Sequence, residues 1–222
     1  MQNICFTYEG HDGFILIPDN FNGRWIWKTE FFTAFDQAER ALFDMGYARV
    51  YYGISDMYGC DRAVRLMHAF HLHIAKEYGL TSKPYLFGFS RGALYAFNYA
   101  LYYPDACEKL YLDAPVLNLR SWPKDEREHA EVLDCYNLNE ETFASCRFSP
   151  IELLDEFSEN GVPVLIVAGD SDRVVPHTEN AQIMVDYYRS HGLPIDYILK
   201  EGCDHHPHSL EDVTPIIEFI ER

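Results

Sequence analysis

Apolar residues fall along this chain in two rhythms. Short runs rich in Val, Ile, Leu and Tyr, at Phe14–Ile17, Ala48–Tyr52, Pro84–Phe89, Lys109–Asp113, Pro163–Ala168 and Ile195–Leu199, predict β-strands. Between them, apolar positions recur at helical spacing over Phe31–Met45, Asp61–Tyr78, Gly92–Tyr102, Thr178–Ser190 and Val213–Ile220, with stop signals near Gly46, Gly79, Pro104 and Gly192. Runs such as Val164-Leu165-Ile166-Val167-Ala168 are apolar at successive positions, the mark of a strand covered on both faces. The architecture this predicts is α/β: a doubly wound, mostly parallel sheet with helices on both faces.

One stretch departs from the alternation. Residues 117–159 are first strongly charged (Lys124-Asp125-Glu126-Arg127-Glu128) and then helical, without an evident strand. The segment reads as a small cap inserted into a single domain of residues 1–222, placed over the crevice at the strands' carboxyl ends. No repeat or low-complexity linker divides the chain.

Composition changes the picture in what it excludes. A formal net charge of −17 disfavours nucleic acid and anionic membrane surfaces, which need clustered Lys and Arg. Met1-Gln2-Asn3-Ile4-Cys5-Phe6 has neither the basic start nor the apolar run of a signal peptide, so a cytoplasmic location is expected. The six cysteines lack CxxC spacing and read as free, mostly buried thiols.

Chemistry enters at Gly88-Phe89-Ser90-Arg91-Gly92, between a predicted strand and a predicted helix. A serine on such a sharp turn needs small residues two positions to either side, and its hydroxyl is pushed above the sheet edge. The Arg91 backbone N–H, at the start of the helix, is then placed to stabilise an oxyanion. After the strand Pro163–Ala168 comes Gly169-Asp170-Ser171-Asp172, and after Ile195–Leu199 comes Gly202-Cys203-Asp204-His205-His206-Pro207-His208. Asp170 suits a turn brace, while Asp172 reaches further and suits the partner of an imidazole. His205 is preferred as base over His206, whose position before Pro207 favours extended backbone and a place beside the site. His208 reads as a cap of the turn. Asp113, also at a strand end, is the alternative acid.

These three loops, with Asp113-Ala114-Pro115-Val116, Ser121-Trp122-Pro123, Val174-Val175-Pro176 and Trp25-Ile26-Trp27, resemble the α/β-hydrolase superfamily. More narrowly they resemble small bacterial hydrolases related to carbohydrate esterases and prolyl-oligopeptidase-like enzymes. The resemblance implies the α/β-hydrolase fold and a serine esterase with the triad Ser90, Asp172 and His205. It implies a small-molecule ester substrate, acylated carbohydrate included, and neither cofactor nor metal ion. Where relatives carry His-Gly after an early strand, this chain has Pro18-Asp19-Asn20, and the second oxyanion donor is expected in the loop Asn20–Trp25. Trp27, Met57, Tyr58, Trp122 and His206 are the expected substrate contacts, with Arg91 either binding a substrate carboxylate or paired with Asp56 or Asp113.

Two other classes compete. Asp204, His205, His206 and His208 offer zinc-type ligands, although adjacent residues around a proline converge poorly on one ion. A hydrolase-like fold without catalysis would instead be a ligand-binding module.

Overall fold

A computed structural model describes residues 1–222. In chain order the elements are β1 (Gln2–Tyr8), β2 (His11–Ile17), β3 (Trp25–Lys28), α1 (Gln37–Asp44), β4 (Ala48–Tyr52), α2 (Asp61–Tyr78), β5 (Tyr85–Phe89) and α3 (Gly92–Tyr102). Then follow β6 (Lys109–Asp113), α4 (Glu126–Cys135), α5 (Glu140–Ser145), α6 (Leu154–Glu159), β7 (Val164–Gly169), α7 (Ala181–Ser190), β8 (Asp196–Lys200) and α8 (Thr214–Glu221). Each of the six strands expected from the apolar runs is present, and two more, β1 and β3, join them.

The eight strands form one sheet in the order β1-β2-β4-β3-β5-β6-β7-β8. β1 and β2 pair antiparallel, as do β2 and β4; every other neighbouring pair is parallel. From β3 the chain crosses to β4 on one side, then returns through α2 to β5 on the other. The strand order therefore reverses between β3 and β5, which opens a crevice at their carboxyl ends.

Alternation along the central strands feeds two cores. Leu86 and Ile166 face Val64, Met67, Ala96, Phe157 and Val185 of α2, α3, α6 and α7. Phe87, Leu165 and Val167 face Ala38 and Leu42 of α1 and Ile216 and Phe219 of α8. With both faces covered, these strands have no polar side, which is why they read as unbroken apolar runs. A third, smaller cluster (Tyr58, Leu94, Val116, Leu119, Val132, Val175) seats α4 against the sheet's carboxyl edge. Farther along residues 117–159, α6 stacks Phe157 on Phe97 of α3, with ring centroids 4.3 Å apart, and so belongs to the main helical layer.

The helix expected over Phe31–Met45 starts only at Gln37 because Phe31 and Phe35 adopt left-handed φ values of 55° and 50°, which no right-handed helix accommodates. Of the six free cysteines only Cys60 and Cys107 are buried, fewer than their type suggests. No helix is long and apolar enough to cross a membrane.

Candidate active site

Ser90 follows β5 at the sheet's reversal point, with a left-handed φ of 49°. Such a conformation costs about 1–3 kcal/mol in a non-glycine residue and persists only where neighbours fix it. Here the Ser90 N–H donates to the Asp113 carbonyl (2.9 Å), and the Ser90 carbonyl accepts from the Val116 N–H (3.1 Å). The flanking glycines are closely enclosed: a Cβ on Gly88 would lie 2.8 Å from the Ala93 Cα, too close for the backbone to stay where it is, and one on Gly92 would lie 3.0 Å from the Glu30 Cβ, which would have to give way.

Three loops meet at this turn. His205 Nε2 lies 3.0 Å from Ser90 Oγ, and His205 Nδ1 lies 2.7 Å from Asp172 Oδ2. A carboxylate at Nδ1 fixes the tautomer, so that Nδ1–H donates to Asp172 and Nε2 accepts from the serine hydroxyl. Asp172 Oδ1 in turn accepts the Val174 and Val175 N–H groups at 2.9 and 2.8 Å. Burial pushes the Asp172 carboxyl up, but the hydrogen bond from His205 and those from Val175 and Val174 outweigh it and hold the carboxyl below its ordinary range.

The two loops are braced to each other. Asp170 Oδ1 accepts the Gly202 N–H at 2.8 Å, the turn-bracing position expected of it. Asp204 Oδ1 accepts both the Arg173 and His205 N–H groups, at 3.0 and 2.8 Å. Those two bonds, with the Arg173 guanidinium, hold the Asp204 carboxyl down to about 2. Asp204 thus fixes the residue next to it, a task that its surroundings in sequence do not signal.

Asp113 does not touch His205. Its oxygens accept from His208 Nδ1 (2.8 Å), the Tyr111 hydroxyl (2.6 Å) and the Ser209 N–H (2.9 Å), all buried. His208 is therefore a buried partner of Asp113 rather than a turn cap.

The loop Asn20–Trp25 is at the wrong end of the molecule for an oxyanion donor. It leads into the amino end of β3, whose first residue is Trp25, whereas the serine lies beyond the carboxyl ends of the parallel strands; Asn20 Nδ2 donates to the Asp44 carbonyl and Trp25 Nε1 to the Thr81 carbonyl. The opposite end of β3 meets the serine turn: Thr29 N–H donates to the Phe87 carbonyl and Thr29 Oγ1 to the Gly92 carbonyl at 2.7 Å. The segment beside Ser90 is thus Glu30-Phe31-Phe32. Neither the Arg91 N–H nor those of Phe31 and Phe32 donate to a backbone carbonyl.

No protein-family model and no curated protein matches the sequence. Solved structures match in fold. Porphyromonas gingivalis dipeptidyl peptidase 4 aligns with 98% of this chain at 12% identity and TM-score 0.69, the match covering 34% of its own length; the chain thus spans about a third of that peptidase. An S-formylglutathione hydrolase from Agrobacterium tumefaciens aligns with 92% of this chain and 87% of its own, at 15% identity and TM-score 0.68. MGS-MChE2, an alpha/beta hydrolase enzyme from the metagenome of Mar Chica lagoon sediments in Morocco, aligns with 98% of this chain and 96% of its own, at 14% identity and TM-score 0.61. The chain has the α/β-hydrolase fold.

Within the α/β-hydrolase fold the Ser90 turn after β5, the Asp172 loop after β7 and the His205 loop after β8 share one sheet edge, in the chain order Ser, Asp, His. The expected contact residues distribute unevenly around it. Trp27 is 1% exposed, with its ring against Trp25, Phe70 and Tyr99, so it is a core residue and not a substrate contact. Tyr58 is also 1% exposed and donates its hydroxyl to Glu131 of α4 at 2.6 Å, so it anchors α4 instead of offering a platform. Met57 and Trp122 are half-buried, and His206 is exposed, its ring stacked on Phe35. Arg91 pairs with Asp56 at 3.1 Å and approaches buried Glu30 at 3.8 Å, so its carboxylate partner within the chain is Asp56 and not Asp113. Burial pushes the Glu30 carboxyl up against the pull of Arg91. A cavity of about 530 Å³ lies between α2 and the end of α3 around His68, His71 and Tyr103, away from Ser90, Asp172 and His205.

Proposed function

We propose that the protein is a serine hydrolase that cleaves carboxylic esters through an acyl-enzyme on Ser90. The observation that carries this reading is the unbroken hydrogen-bond chain from Ser90 Oγ through His205 to Asp172. As Ser90 Oγ attacks the ester carbonyl, His205 Nε2 takes its proton and the C–O double bond opens to an oxyanion. The Arg91 N–H and a backbone N–H from Phe31–Phe32 receive that charge, each donor being worth about 3 kcal/mol of transition-state stabilisation. His205 then protonates the departing alkoxide, giving the acyl-serine and the alcohol. Water, deprotonated by the same Nε2, attacks the acyl carbon; the proton returns to Ser90 and the acid leaves. Asp172 remains a carboxylate throughout and stabilises the imidazolium between steps, a role suited to its lowered pKa.

Acyl transfer of this kind is supported by the similarity to the S-formylglutathione hydrolase, whose named substrate is a thioester, over most of both chains. Acylated small sugars are the substrate class favoured by the sequence resemblance. A fluorophosphonate probe tests the reading: it should label Ser90 and fail to label Ser90→Ala. A parallel screen of acetyl, butyryl and feruloyl esters should reveal turnover. An unlabelled wild-type protein that turns over none of these esters is a ligand-binding module instead.

A further inference from the structure

We propose that His205, His206 and His208 form an inhibitory site for a divalent transition-metal ion, zinc above all, whose binding takes His205 away from Ser90. The inference deepens the serine-hydrolase reading and rests on it.

The three imidazoles stand at the corners of a nearly equilateral triangle. Their ring centroids are 5.0, 4.9 and 4.8 Å apart, the planes inclined at 65°, 78° and 90°, and one nitrogen from each lies within 4.8 Å of the others. The chain therefore brings together residues whose spacing around Pro207 argued against convergence. Zinc bound tetrahedrally by nitrogens at about 2.0–2.1 Å holds them about 3.3 Å apart. His206 is the exposed member, and its ring must leave Phe35, on which it is stacked, to close on the other two.

The surroundings match what a ligating histidine needs. His205 and His208 both have Nδ1 engaged by a buried carboxylate, Asp172 and Asp113, which leaves Nε2 as the nitrogen for a metal. A carboxylate behind the imidazole fixes its tautomer and raises its basicity as a ligand. Asp204 is not a fourth ligand, because Arg173 occupies its carboxylate.

Binding requires no redox change. The His205 Nε2 lone pair that accepts the Ser90 proton in a hydrogen bond is donated to the metal instead; Ser90 keeps its proton, and water fills the fourth position. The serine then has no base.

The test uses the full chain stripped with EDTA. Zinc chloride titrated against a chromophoric chelator should show one zinc per chain, and His206→Asn should weaken that binding about tenfold or more. Saturating zinc should slow fluorophosphonate labelling of Ser90 about tenfold or more in the wild type, EDTA should restore it, and the effect should be lost in His206→Asn. Cobalt should add the visible absorption of a four-coordinate site. His206 is exposed, so its variant folds even if one at buried His208 does not. Equal zinc binding by wild type and His206→Asn, no binding by either, or labelling indifferent to bound zinc overturns the proposal. A metal-free protein that never labels contradicts the hydrolase reading, while the chelator titration still decides whether the three histidines hold zinc.

Discussion

His208 donates a 2.8 Å hydrogen bond through Nδ1 to Asp113, with both side chains buried and the His208 ring 4.9 Å from that of His205. This second carboxylate–imidazole pair lies next to the one at Ser90, and Tyr111 and Ser209 take up the rest of the Asp113 carboxylate. Asp113→Ala strands three buried donors and is expected to cost about 3–5 kcal/mol of stability, measured by urea unfolding. Asp113→Asn, where it folds, should still be labelled at Ser90, whereas Asp172→Asn should lose about four orders of magnitude in ester turnover. The reverse ranking would make Asp113 the acid.

The acid limb of stability should carry a signature of Asp172. Its carboxyl lies below the ordinary range in the folded chain, so the unfolded chain binds that proton more readily. Its contribution is therefore present above the unfolded value of about 4 and is lost as pH falls through the folded value. Chemical unfolding of wild type and Asp172→Asn should show a stability gap that narrows below about pH 4. A gap that widens there contradicts the assignment.

Asn20 and Trp25 lie beyond the amino end of β3 and at its first residue, so altering them should not touch catalysis. Asn20→Ala removes one hydrogen bond, a loss of about 1 kcal/mol in stability, and Trp25→Phe, which also shrinks a fully buried ring packed on Trp27, costs about 2–3 kcal/mol, each with kcat within about twofold. A fall in kcat of about a hundredfold in either variant, with the fold intact, would return the oxyanion donor to that loop.

Gly88→Ala tests the serine turn itself. The new Cβ meets the Ala93 Cα at 2.8 Å and the Ala96 Cβ at 2.9 Å, neither of which is a flexible side-chain end. About 1–3 kcal/mol of destabilisation is expected, together with slower labelling of Ser90. Unchanged melting and labelling would show that the turn has room to spare.

The central strands and the serine turn were legible because their determinants are local. A strand buried on both faces is an apolar run, and a serine elbow needs glycines at fixed offsets. β3 escaped notice because Trp25-Ile26-Trp27-Lys28 is only four residues long and ends in a buried lysine paired with Glu39. The helical spacing of Phe31, Phe32 and Phe35 added to the difficulty, since it drew the loop after β3 into α1. Those phenylalanines instead serve the loop, Phe32 stacking on Tyr51 and Phe35 on His206. With the end of β3 hidden, the sequence points instead to the loop Asn20–Trp25, which leads into that strand, for the oxyanion donor. A run of β-forming aromatics at Trp25–Trp27 was the available signal. The Asp113–His208 pair had none, because its partners are 95 residues apart and only the fold joins them.

The covalent intermediate gives the most direct measurement. An ester identified in the screen, mixed with the protein and quenched in acid within the first turnovers, should leave its acyl mass on the tryptic peptide carrying Ser90, with the adduct abolished in Ser90→Ala and His205→Ala. Ester turnover that persists in Ser90→Ala, with no acyl mass on the wild-type peptide, would contradict the account.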